Sequence, residues 1–188
     1  AAICSLAGRG DLVLCDKLDH ASIIDAALAC GARMKTYPHR DTRALERILD
    51  RRRTDYDSCF IVTDSLFSMD GDLAPLPELV AITRQYDAAL IIDEAHGTGV
   101  FGPRGRGVAE HCGIEEDVDC TVGTLSKAVG CLGGFIAGPA VLCEYLRNTA
   151  RSYIYTTAPP PAVCAAAETA LAKSAGSISF TSAKKRAV

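Results

Sequence analysis

The chain has 188 residues, 48% of them hydrophobic and 23% charged, with a formal net charge of −3. That is the make-up of an ordinary globular protein with room for one well-buried domain, or for one domain and part of another. The balance is acidic, and its basic runs (51–53 and 184–186) are short and carry no interleaved aromatics. A nucleic-acid binder is therefore not expected, and no apolar run approaches the roughly 20 residues that span a bilayer.

The nine cysteines fall at 4, 15, 30, 59, 112, 120, 131, 143 and 164, with no Cys-x-x-Cys pair. Several sit in apolar surroundings such as Cys59-Phe60-Ile61-Val62. An odd, unpatterned count reads as free thiols acting as small buried hydrophobes. An intracellular and most simply cytoplasmic location is expected; an organelle address stays open. The start Ala1-Ala2-Ile3 without Met, and the weakly patterned stretch 174–188, suggest a piece of a longer protein.

In chain order, residues 11–15 read as a short strand leading to Asp19-His20. Residues 21–29 carry a helical stripe at 23, 24, 27 and 28, which Gly31 ends. A strand over 33–37 follows, then a helix capped by Asp41 with its stripe at Ala44, Leu45, Ile48 and Leu49. Residues 59–63 are a mostly apolar, β-branched run, as in a strand buried on both faces. Pro77 suits the first turn of a helix carrying Leu79, Val80 and Ile82. Strands are expected at 88–92, 118–122 and 134–137, with a helix opened by Pro139 and running to about residue 148. The segment 153–161, ending in three prolines, predicts an extended break, and the alanine-rich 162–173 one more helix. Repeated strand–helix–strand order implies an α/β fold with a mainly parallel sheet between helices. The domain reading is 1–150 as one unit and 151–188 as a linker entering a second, with 174–188 disordered.

In such sheets the working residues collect at the carboxyl ends of the strands. Lys127 lies there, in Gly123-Thr124-Leu125-Ser126-Lys127-Ala128-Val129-Gly130, and so do Asp93 and His96, in Ile91-Ile92-Asp93-Glu94-Ala95-His96-Gly97-Thr98-Gly99. An amine, a carboxylate and an imidazole are the groups needed to hold and activate pyridoxal phosphate (PLP). The amine condenses with the aldehyde, and the carboxylate keeps the ring nitrogen protonated. Each residue also has a plain structural role open to it. Lys127 suits an exposed surface, Asp93 the cap of a turn, and His20 the start of a helix. Ser68, in Asp64-Ser65-Leu66-Phe67-Ser68-Met69-Asp70-Gly71-Asp72, can satisfy turn amides. Asp70 and Asp72 lack the remaining ligands of a calcium loop, so no metal is expected. A Walker loop is absent, because no Gly-Lys-Ser/Thr occurs.

These segments, with Tyr155-Thr156-Thr157, resemble the α-oxoamine synthases, PLP-dependent enzymes of fold type I, over nearly all of residues 1–172. The resemblance implies that Lys127 holds the cofactor and moves the α-proton. It also pairs Asp93 with the ring nitrogen and His96 with the ring oxygen. His20 would stack on the ring, Ser68 would contact the cofactor, and Thr124 would bind its phosphate. Thr156 would reach the phosphate of a neighbouring subunit, implying a homodimer. The wording is most similar to the biotin-pathway branch, and particularly to its plant forms. That branch implies a decarboxylative condensation of L-alanine with pimeloyl-CoA. Relatives using glycine or serine are the alternative, as is a non-catalytic partner subunit, although a scaffold has no need of Lys127, Asp93 and His96 together. The family's N-terminal glycine-rich segment and its C-terminal domain are missing. The chain is therefore read as a fragment of the large domain, expected to fold poorly and to be inactive alone.

Overall fold

The computed structural model describes residues 1–175. Most of the expected 174–188 tail thus lies outside the described residues. Six strands form one sheet: β1 (Leu12–Asp16), β2 (Arg33–Tyr37), β3 (Cys59–Asp64), β4 (Ala89–Asp93), β5 (Cys120–Thr124) and β6 (Gly134–Ala137). Their spatial order is β2-β1-β3-β4-β5-β6; β1 to β5 run parallel, and β6 is antiparallel to β5.

The strands read as continuous apolar runs because both faces are covered. Successive side chains point to opposite sides. Leu12, Leu14, Ile61, Leu90 and Ile92 enter one buried cluster, with residues of α3 (Thr42–Arg52), α4 (Leu76–Tyr86) and α5 (Val108–Cys112). Val13, Cys15, Val62, Ile91 and Cys120 enter the other, with residues of α1 (Ala2–Leu6) and α2 (Ala21–Ala29). Three layers follow: helices, sheet, helices. Cys15, Cys59 and Cys120 are buried, and burial pushes their thiols up to about 12, 11 and 12. All nine cysteines are free, so they act here as packing groups.

Most expected elements fall within a residue or two of their places. Asp41 caps α3, accepting the Ala44 amide at 2.8 Å. Gly31, at φ +87°, turns the chain out of α2 in the left-handed region that glycine favours. The strand expected at 118–122 begins later, at Cys120, because Glu115–Asp117 coils into a 3₁₀ turn first. Two short helices, α1 and α5, were not expected, since five residues are too few to show a stripe. The extended break is a correction. Residues Arg151–Ile154 form a helical turn, α7, after α6 (Ala140–Thr149). Prolines 159–161 restrict only the residues just before them, so the Tyr153 amide still reaches the Ala150 carbonyl at 2.9 Å. The last described helix, α8, is Pro161–Ala175.

From β1 the chain crosses to β2 on one side, then returns past β1 to β3 on the other. The connections leaving β1 and β3 therefore diverge. Such a switch point opens a crevice at the carboxyl ends of the strands.

Candidate active site

A cavity of about 190 Å³ lies at that crevice and is lined by His20, Asp64, Asp93, His96, Thr124 and Lys127 among others. These residues arrive from four strand ends, with Asp93 and His96 sharing the end of β4 and Thr124 and Lys127 that of β5. His20 follows β1 and caps α2; its Nδ1 accepts the Ser22 amide at 3.3 Å. Asp64 and Asp93 end β3 and β4 and are direct partners in the register. Lys127 sits in the loop between β5 and β6, exposed at the rim. Five of the seven expected residues thus meet in one place.

The central contact is Lys127 Nζ to His96 Nε2 at 2.9 Å. Burial lowers the His96 pKa and the Lys127 charge lowers it further, with Asp93 opposing. The lowered pKa favours the neutral imidazole, whose bare nitrogen can accept from the Lys127 amine. Asp93 Oδ1 accepts the Ala95 amide at 2.8 Å, so this carboxylate both caps its turn and faces the cleft. Thr124 Oγ1 and Ser126 Oγ lie 2.6 Å apart, beside a turn in which Cys131 and Leu125 are bonded through the backbone.

Asp64 was not singled out from sequence. Its Oδ2 accepts the His20 amide at 2.7 Å. Burial raises its pKa to about 6; the His20 amide pulls down and the Asp93 charge pushes up. An aspartate ending an apolar run reads locally as a turn residue, and only the alignment with Asp93 reveals a second acid in the cleft. Behind it, Asp19 accepts the Asp16 and Asp64 amides at 2.7 and 2.9 Å. Burial lifts its carboxyl to about 8.

Ser68 and Thr156 are not brought to the cleft. Ser68 is exposed in the turn between β3 and α4, past the Leu66–Leu73 bridge, and Thr156 is exposed after α7. His39, Asp70 and Asp72 bring ligand atoms within 4.8 Å of one another. The Arg40 guanidinium holds the same Asp72 oxygen that His39 does, each at 2.9 Å, so the arrangement is an ion-pair network.

The mainly parallel sheet between two helical layers matches the type I fold of PLP-dependent transferases. The family model described as "Aminotransferase class I and II" matches residues 1–187. The chain belongs to this family. It is 54% identical over 167 residues to an 8-amino-7-oxononanoate synthase of Geobacter sulfurreducens, an alignment that covers 89% of this chain and 42% of that protein. Among solved structures, a serine palmitoyltransferase of S. paucimobilis with PLP and myriocin bound superposes with TM-score 0.88 at 38% identity. That match covers 93% of this chain and 44% of the other. An 8-amino-7-oxononanoate synthase of Francisella tularensis gives 0.78 at 34%, covering 94% and 50%. The chain thus spans less than half the length of its curated relative.

Proposed function

We propose that the cleft holds PLP and that the protein carrying it condenses an amino acid with an acyl-CoA, releasing coenzyme A and carbon dioxide. The observation that carries this reading is the 2.9 Å Lys127–His96 contact in the same cleft as Asp93. The residues fit the cofactor. Lys127 supplies the amine that holds it covalently, Asp93 an anion for its ring nitrogen, and His96 a neutral partner for its ring oxygen. His20 supplies a flat ring to stack, and Thr124 a hydroxyl for the phosphate; Ser68 and Thr156 would join only through contacts beyond those described. Residues 1–150 would form the cofactor-binding unit and 151–188 the approach to a second one.

When bound, PLP supplies an electron sink for negative charge at the α-carbon of an amino acid. The chain's own task is then proton control. Lys127 Nζ would take the α-proton, and His96, in contact with it at 2.9 Å, would orient it. Asp93 keeps the ring nitrogen protonated, because an anion nearby stabilises the cationic form. The cavity is smaller than the roughly 300 Å³ at which drug-sized sites begin, so a long acyl donor must extend beyond it.

The likeness to 8-amino-7-oxononanoate synthases supports L-alanine and pimeloyl-CoA as substrates, in the biotin pathway, and a homodimer is the assembly we expect. The likeness to serine palmitoyltransferase supports a serine-using alternative. The test has two arms. Added PLP should give a visible absorbance band that Lys127→Ala abolishes, and borohydride should fix the label on Lys127 alone; a label elsewhere sinks the site. Coenzyme A release should be faster with alanine than with serine or glycine; the reverse order sinks the substrate choice.

A further inference from the structure

We infer that Glu94 is a positioning residue, which ties the Asp93–His96 turn to two neighbouring segments and so sets the approach of His96 to Lys127. The inference deepens the PLP reading of the cleft and rests on it. Glu94 follows Asp93 directly, and at a strand end consecutive side chains point to opposite sides. Asp93 lines the small cleft; Glu94 lines a separate cavity of about 440 Å³ with Ala109 and Val118. Glu94 is fully buried and has no path to the reacting atoms. It acts through other groups.

Three donors converge on its carboxylate. Oε2 accepts the Ser65 hydroxyl at 2.7 Å and the Val108 amide at 3.0 Å, and Oε1 accepts the Ala109 amide at 2.8 Å. Ser65 is itself joined to Asp93, whose carbonyl accepts the Ser65 amide at 2.9 Å. The Glu94 carbonyl accepts the amides of Gly97 and Thr98 at 3.1 and 2.8 Å, closing the turn that presents His96. Its amide donates to the Val122 carbonyl at 2.7 Å, on the strand that leads to Lys127. One residue thus joins the ends of β3, β4 and β5 to the start of α5.

The loop closes tightly on this group. A Cβ at Gly97 or at Gly107 would overlap the Glu94 carboxylate, and Gly107 also sits at φ +122°. Burial raises the Glu94 pKa, against the pull of the Ala109 amide, the Ser65 hydroxyl and the Val108 amide. A buried carboxylate is a costly stabiliser that a well-packed apolar side chain could often replace without loss. What an apolar residue cannot supply is three fixed hydrogen bonds to two segments.

The test uses the intact protein carrying Glu94→Gln, Glu94→Ala and, as a milder change, Ser65→Ala. The first readout is the titration of His96 by histidine NMR without added PLP. In the unaltered protein it should fall below the ordinary histidine range. Glu94→Gln turns an amide NH₂ toward a backbone N–H, so the turn loosens, and the His96 titration should move back up. Glu94→Ala should move it further and Ser65→Ala less. The second readout is the dissociation constant for PLP, expected to rise about tenfold in Glu94→Gln. If the His96 titration is unchanged in Glu94→Gln and Ser65→Ala while their melting temperatures drop, Glu94 only stabilises the fold and the inference is overturned. If Glu94→Gln does not fold, Ser65→Ala decides by the same criterion. Failure of the unaltered protein to bind PLP would sink the cofactor reading, and the NMR result would still report on Glu94.

Discussion

Asp19, Asp64 and Asp93 run along the sheet's carboxyl edge, and the first two are joined by the Asp64 amide. Asp19 has its pKa raised from 3.8 to about 8 by burial. Between those values the folded chain binds more protons than the unfolded chain, so stability falls as pH rises through that window. Asp19→Asn should flatten the fall in melting temperature between pH 5 and 8. It should also cost about 1–3 kcal/mol at pH 5, because an amide cannot accept both backbone N–H groups. An unchanged pH slope would contradict a buried, protonated Asp19. His39 acts in the same direction. Burial lowers its pKa, but hydrogen bonds to Asp16 and Asp72 outweigh that and raise it above 6.5. Its contribution is complete below 6.5 and is lost as pH passes the raised value, so His39→Gln should flatten the slope above pH 6.5. In the cleft, Asp64 ionises near pH 6. On the proposed reading its negative charge would then join that of Asp93 in favouring a protonated ring. PLP binding should strengthen from pH 5 to 7 more in the unaltered protein than in Asp64→Asn; equal pH profiles would remove Asp64 from the site.

At the scale of elements, the helices depend on local capping as well as burial. Asp41→Ala removes the side-chain acceptor for the Ala44 amide and should cost about 1 kcal/mol in denaturant unfolding, with an unchanged m-value. The elements legible in the sequence were those long enough to show a period or a continuous apolar run, such as α2 with its stripe and β3 with Ile61 and Val62. α5 was not legible. Its Val108, Ala109 and Glu110 show no stripe, and two of its first free amides are satisfied by Glu94, fourteen and fifteen residues earlier. Likewise Tyr153 and Ile154 looked extended beside three prolines, yet nothing in their own chemistry forbids a helical turn.

For the whole molecule, the sheet is well covered at its centre and less so beyond β5. Val141, Tyr153, Tyr155, Leu132 and Leu171 are exposed apolar side chains, all from residue 132 onward. Tyr153, Ile154 and Tyr155 are consecutive and all exposed, and contiguous exposed apolar groups favour association. The isolated 188-residue chain should therefore self-associate at micromolar concentration in light scattering, and a Tyr153→Ser, Tyr155→Ser double variant should do so less. Monodisperse behaviour of the unaltered chain would refute this.

Composition, apolar runs and turn residues were enough to determine a parallel α/β sheet. The segments around Asp93, His96 and Lys127 also pointed to the candidate reactive groups. All of these are local properties, written within a few consecutive residues. Which groups face one another was decided only by tertiary structure. The register brought Asp64 beside Asp93, the β5–β6 loop carried Lys127 to His96 across thirty-one residues, and the same folding left Ser68 outside. Sheet register and loop closure are set by packing between segments distant in sequence, and a linear motif carries no record of that geometry.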